Sequence, residues 1–218
     1  MLKVWGRADG SNVIKAMWCI GELGIAHERI DWGGEFGGND DPQYRRKNPN
    51  GRLPTLEEED GWTLWESGAV VRYLCMKHSL GNLCPETPRG RADAEKWMDW
   101  SSLNFAQFNS VYLQHYFGPE EKRSRDAILA AAKSQVKWLD ILDPHLANRR
   151  YLCGDHFTMA DIPAGSLTHR WFNWTPKEAL PAHPNVRSWY ERLAARPAYQ
   201  EHVIKVNAKR TGEIAAHG

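Results

Sequence analysis

Between Ser79 and Arg91 the chain reads SLGNLCPETPRGR, with two prolines, two glycines and no apolar period. The contrast across this stretch constrains the fold more than any other feature. Before it, the apolar pattern switches between the period of strands and the period of helices. After it, only the helical period remains. A small α/β unit followed by an all-helical unit is two domains, not one doubly wound sheet.

The first third predicts a strand over Leu2–Gly6 and a helix over Ser11–Leu23, with Val13, Met17 and Ile20 on one face. A second strand covers Glu28–Trp32, and the Gly/Asp-rich GGEFGGNDDPQY, Gly33 to Tyr44, reads as a loop. RLPTLEEED and WTLWES read as two strands meeting at the turn Asp60-Gly61. Ser67–His78 is a helix with Ala69, Val70, Tyr73 and Leu74 inward. Beyond the linker, helices are expected over Ala92–Phe117, Ser124–Leu146, Thr158–Trp171 and Pro184–Arg196.

The 28 basic residues nearly cancel the 27 acidic ones, so no charge excess calls for nucleic acid or an anionic membrane. No apolar run approaches the roughly 20 residues of a membrane span. The opening MLKVW lacks the apolar core of a secretory signal and reads as a strand. The four cysteines form no C-x-x-C pair and no zinc spacing, so no metal is expected, and reduced thiols in a cytoplasmic protein are the expectation. Eleven tryptophans is many for 218 residues. Each needs a partner for its N–H, and some are candidates to line a concave apolar site.

Three junctions carry the candidate chemistry. Leu53-Pro54 falls where a strand should begin, a position proline tolerates because it has no N–H to give the ladder. Most X–Pro bonds are trans; a cis bond here would turn the chain sharply and free the backbone of Leu53 for an extended ligand. Glu66-Ser67 sits where a strand hands over to a helix, with Ser67 a candidate N-cap. A helix N-terminus suits a carboxylate, and Glu66 beside it can accept from an ammonium, so the pair could hold both charged groups of an amino acid, or could simply cap the helix. FTMADI places Thr158 three residues before Asp161, a capping box flanked by Phe157 and Ile162, and predicts a buried Asp161 that nucleates a core helix.

In this order, NPNGRLPTLEE, LWESGAVVRYL, the linker and YLCGDHFTMADI resemble the cytosolic glutathione transferases, along nearly the whole chain. The resemblance implies a thioredoxin-like N-terminal domain over residues 1–80, an all-α domain over 88–218 carrying a hydrophobic substrate site, and a homodimer. It makes glutathione the co-substrate. Leu53 and Pro54 match the clamp on the glutathione cysteine, with a cis proline, and Glu66 and Ser67 match the pair that binds the γ-glutamyl end. Asn50 and Arg52 lie where the glycine carboxylate is met, and Thr158 and Asp161 match a structural folding box. In serine-using members a serine near the start of the first helix donates to the sulfur, with a basic residue four places on. Ser11 and Lys15 fit that spacing. Some bacterial members use threonine or asparagine instead, and Asn12 fits there. Ser11 ranks first and Asn12 close behind.

A free thiol has a pKa of roughly 8.5, so little thiolate exists at neutral pH. Lowering it by about two units takes ~2.7 kcal/mol. One charge-assisted hydrogen bond together with a helix N-terminus can supply that. A small electrophile is expected against Trp100, Phe105, Phe108, Asn109 and Tyr112, with His115 leaning in and Trp171 and Trp174 closing the pocket. Conjugation is the leading activity. Glutathione-dependent disulfide or peroxide reduction on the same fold is the alternative, and a non-catalytic interaction module ranks third.

Overall fold

The computed structural model describes residues 1–217. Strands β1 (Leu2–Trp5), β2 (His27–Ile30), β3 (Thr55–Glu57) and β4 (Thr63–Trp65) form one sheet in the order β2-β1-β3-β4. β1 runs parallel to β2 and antiparallel to β3, and β3 pairs antiparallel with β4. Helices α1 (Ser11–Leu23) and α3 (Ser67–His78) pack on each other beside this sheet. This is the thioredoxin-like arrangement, and the two helix spans agree with those read from the sequence. Strands end at β4, and among the described residues beyond His78 there are helices, loops and two isolated β-bridges.

α1 is apolar on more than one side. Val13 to Ile20 are buried without interruption, because α1 is walled by α3 on one side and by α7 (Asp161–Trp174) on another. Trp18 is fully buried there, edge-on to Tyr199 at 4.7 Å and 5.4 Å from Phe157. At the foot of the helix, Glu22 accepts from Trp18 Nε1 at 2.8 Å and pairs with Arg196 at 2.7 Å.

The expected helix Ala92–Phe117 is two helices, α4 (Pro88–Asn104) and α5 (Ala106–Phe117), broken at the fully buried Phe105. Three neighbouring side chains turn back onto their own helix just before the break: Ser101 Oγ on the Trp97 carbonyl at 2.6 Å, Ser102 Oγ on Met98 at 2.9 Å, and Asn104 Nδ2 on Trp100 at 2.8 Å. Bonds of this kind weaken and bend a helix. The segment read as a loop contains a short helix, α2 (Pro42–Lys47). Asp41 caps it by accepting from Gln43 N at 2.6 Å, and Pro42 occupies the first turn, where its missing N–H costs nothing.

α6 (Arg125–Leu146) matches the expected Ser124–Leu146 but for its first residue, since Ser124 is its cap, accepting from Ala127 N. α7 begins and ends three residues later than the spacing predicts, and α8 spans Pro184–Ala194. A short turn of helix, α9 (Pro197–Tyr199), and a π-turn lead into α10 (Lys205–His217), which lies against α7. No described helix is long and apolar enough to cross a membrane.

Asp161 sits at the start of α7, fully buried. Its carboxylate accepts from Thr158 N at 3.0 Å, Leu152 N at 2.9 Å and Trp189 Nε1 at 2.9 Å. The reverse arm of the box differs from the simple motif: Thr158 Oγ1 accepts from Ala160 N, at 3.4 Å.

Candidate active site

The start of α1 and the junctions Leu53-Pro54 and Glu66-Ser67 meet at one small cavity, lined by Asn12, Asn48, Asn50, Arg52, Leu53, Pro54, Glu66 and Ser67. Seven of these are residues that the sequence singled out. The Leu53-Pro54 bond is cis. Neither the N–H nor the C=O of Leu53 is used by another described residue. Gly33, with φ 75°, lets the Leu53 side chain approach so closely that a Cβ would stand 2.3 Å from it.

The eighth residue, Asn48, went unread and is the brace of the loop. It is buried; its Nδ2 donates to the Arg52 carbonyl at 2.8 Å and to Thr55 Oγ1 at 3.1 Å, while its Oδ1 accepts from Asn50 N at 3.1 Å. Tyr44 shares the work, donating to the same Arg52 carbonyl at 2.7 Å. The signal lay in NPNG, since asparagine beside proline and glycine commonly bonds the backbone of its own turn.

Glu66 ends the β4–α3 connection with φ 70°, an uncommon conformation for a residue with a Cβ. It flanks the helix without capping it by its side chain, and Ser67 is the first helical residue, nearly buried, rather than the cap itself. The Ser67 hydroxyl donates across the cavity to Asn12 Oδ1 at 3.4 Å.

Ser11 and Asn12 take different partners. Asn12 Oδ1 accepts from Lys15 Nζ at 3.0 Å as well as from Ser67. With its oxygen so engaged, the Asn12 amide must turn its NH2 elsewhere, and no described residue accepts from it. The side chain is exposed and lines the cavity. Ser11, by contrast, is turned toward the helical half: its Oγ accepts from Arg170 Nη1 at 2.5 Å and Asn109 Nδ2 at 3.0 Å. Lys15 is almost fully buried behind Asn12. Burial pulls its pKa down to about 8, against the opposing pull of the Glu66 carboxylate. At neutral pH it remains mostly cationic.

The aromatic stripe expected to hold a second substrate lies in the core. Phe105, Phe108 and Tyr112 are buried, with Phe108 5.6 Å from Trp171, and Trp100, half-buried, packs on Phe105 at 5.6 Å. Tyr112 hydroxyl meets Thr175 Oγ1 at 2.9 Å, and Trp171 and Trp174 are buried as well. Asn109 belongs to the Ser11 cluster. His115 bonds the Lys122 carbonyl and borders a more open cleft with Tyr116, Phe117 and Ile214. A neighbouring groove, between the β1–α1 turn and α10, is lined by Arg7, Asp9, Phe117, Arg123, Val206 and Arg210 among others.

Comparison with known proteins addresses both halves of the chain. Residues 1–75 match the family model of the glutathione S-transferase N-terminal domain, and residues 106–197 that of the C-terminal domain. Over 210 residues the chain is 36% identical to glutathione S-transferase GstB of Escherichia coli K12, covering 94% of this chain and 98% of that protein. Glutathione S-transferase 3 of Zea mays is 30% identical over 211 residues, covering 94% of each. Among solved structures, the theta class glutathione S-transferase of Xanthomonas axonopodis pv. citri with glutathione bound aligns with a TM-score of 0.86 at 43% identity, covering 93% of this chain and 97% of that one. Two matched domain models, relatives aligned end to end and a shared fold lead to one conclusion: this chain belongs to the glutathione S-transferase family.

Proposed function

We propose that the cavity binds glutathione and that Asn12, rather than Ser11, is the donor that holds its sulfur as thiolate. The protein is then a glutathione transferase. The observation that carries the choice is the engagement of the Asn12 oxygen by Lys15 and Ser67, which leaves the amide N–H groups of this exposed, cavity-lining residue without a described acceptor.

In this reading the γ-glutamyl ammonium pairs with Glu66, and its carboxylate takes the open N–H groups of α3 and the Ser67 hydroxyl, which turns to it from Asn12 and leaves Lys15 to hold the Asn12 oxygen. The free backbone of Leu53 pairs with the cysteine of the tripeptide as an added strand would. Arg52 and Asn50 meet the glycine carboxylate. The sulfur then lies by the first turn of α1, where the Asn12 N–H, the helix N-terminus and the Lys15 cation all favour the anion. The thiol proton leaves to solvent. The thiolate forms a carbon–sulfur bond with a small electrophile, either expelling a leaving group or adding across a polarised double bond. Asn12 donates throughout and is not itself a nucleophile.

The groove beside Asp9 and Phe117 supports a home for that electrophile, since its wall at Arg7, Ala8 and Asp9 is the turn that leads directly into the first turn of α1, where Asn12 lies. Exposed apolar side chains on β4, α3 and α4, namely Trp65, Met76 and Leu103, support a homodimer.

The test is the pH dependence of kcat with an aryl halide at saturating glutathione, which reports the bound thiol. Losing one charge-assisted bond of about 1.5–3 kcal/mol raises the acid limb by about one to two pH units in Asn12→Ala. Ser11→Ala moves it less. A limb that shifts in Ser11→Ala and stays in Asn12→Ala overturns the assignment.

A further inference from the structure

Arg170, in the middle of α7, is fully buried, and no described carboxylate pairs with it. Four hydrogen bonds hold its guanidinium, all to neutral acceptors: Ser11 Oγ at 2.5 Å, Asn109 Oδ1 at 2.8 Å, the main-chain carbonyl of Asp9 at 2.7 Å and Asn207 Oδ1 at 2.9 Å. Trp174 covers it, 4.7 Å away. The nearby carboxylate of Asp9 is taken by Arg210 at 2.7 Å and Arg7 at 3.4 Å. The charged groups facing this cluster are Arg7 and Asp9 from the β1–α1 turn, Lys15 from α1, Arg210 from α10 and, across Lys15, Glu66. On α7 itself, burial holds the neighbouring His169 neutral. Four cations therefore face two carboxylates. Burial pulls Arg170 down to about 9, and it stays protonated at neutral pH.

The arrangement is doubly unfavourable for the protein alone. A buried ion lacking a counter-ion is costly. A cation beside a helix N-terminus also opposes the helix dipole, and Ser11 is the first residue of α1. Neutral side chains could join the two halves of the molecule at this point without either penalty. An anion bound one residue away, at Asn12, removes both.

We propose that Arg170 is a positioning residue for the reacting thiol: through Ser11 and the Asp9 carbonyl it fixes the turn that aims Asn12, and the bound thiolate serves as the counter-ion that its charge lacks. This rests on the reading of the cavity as the glutathione site. It gives the helical half a part in activating the sulfur, which the sequence places with the first helix alone.

Asn109→Asp tests the charge in place, because it puts a carboxylate oxygen 2.8 Å from Arg170 with almost no change in shape, while the second oxygen, in place of the Nδ2 that donated to Ser11 Oγ, accepts from the Ser11 hydroxyl instead. The readouts are the acid limb of kcat at saturating glutathione and a direct titration of the far-ultraviolet thiolate absorbance of bound glutathione, with thermal melting alongside. Both titrations are expected to rise by about one pH unit, a tenfold fall in the acid dissociation constant of the bound thiol, while the melting temperature holds or rises. Arg170→Met gives the same rise with a lower melting temperature, and Arg170→Lys restores most of the parent titration. Unmoved titrations in a folded Asn109→Asp overturn the proposal, leaving Arg170 a structural clamp. An unfolded Asn109→Asp overturns it too, since that carboxylate satisfies the charge said to lack a partner. A parent enzyme that neither binds nor turns over glutathione overturns instead the reading of the cavity.

Discussion

Gly165→Ala sets two effects of similar size against each other, and the structure decides the sign. Gly165 lies within α7, buried where that helix crosses α1. Helix propensity favours alanine there by about 1 kcal/mol. The added Cβ, however, would stand 2.6 Å from Leu193 Cδ1 and 2.9 Å and 3.0 Å from two atoms of the Trp18 ring. Leu193 is buried but has a rotatable end. Trp18 has no freedom to retreat: Tyr199 and Phe157 pack on it, its N–H is bound to Glu22, and Arg196 anchors Glu22 in turn. Overpacking of a rigid core costs about 1–3 kcal/mol. Three contacts at or below 3.0 Å put this case in the upper part of that range, about 2–3 kcal/mol, so the net expectation is a loss of about 1–2 kcal/mol, a fall of roughly 2–8 °C in melting temperature for a chain of this size. Calorimetry at one fixed protein concentration measures it. Because the clash presses on the helix that carries Asn12 and Lys15, weaker glutathione binding should accompany the fall. A melting temperature equal to or above the parent's would refute the reasoning, for it would mean that the Trp18 cage yields and propensity wins.

Asp161 predicts a pH signature. Burial pushes its carboxyl up to about 6, from an ordinary 3.8. An acid raised in the folded state contributes stability below its unfolded pKa and loses it as pH climbs through the folded one. The parent should therefore lose about 3 kcal/mol from this group between about pH 4 and 6. Asp161→Asn does not titrate, so parent-minus-variant stability in urea melts should fall by that amount across the window, and a flat difference contradicts the reading. At the cavity, Glu66→Gln and Ser67→Ala should each raise the glutathione dissociation constant about tenfold, the loss of one charged hydrogen bond, and calorimetric titration at parent affinity for both would remove the γ-glutamyl assignment.

Legibility in the sequence followed locality. Ser11–Leu23 and Ser67–His78 could be read because the small polar residue that opens each helix and its apolar period lie within a dozen residues of one another. Leu53-Pro54 and Glu66-Ser67 were legible as junctions for the same reason. α2 was hidden by the glycines around it, although Asp41-Pro42 is a sound start signal, and the break at Phe105 was hidden because Ser101, Ser102 and Asn104 interrupt a period they do not abolish. The stripe of Phe105, Phe108 and Tyr112 has the same spacing whether it faces a cavity or a neighbouring helix, and α7 fills that space.

The amino-acid order was enough to specify a small sheet with flanking helices, then helices alone, and to mark the junctions where a tripeptide could be gripped, because periodicity, capping and turn chemistry act between near neighbours. Which of two adjacent polar residues faces the ligand was beyond it. Successive side chains on a helix diverge by about 100°, so Ser11 and Asn12 must point apart, and the direction of each is set by partners brought in from a distance. Ser67 and the buried Lys15 claim the oxygen of Asn12, and Arg170, 159 positions further along the chain, claims Ser11. Lys15 is a neighbour on the same helix, but the Ser67 contact needs the first unit folded, and the Arg170 contact exists only once the two halves have packed.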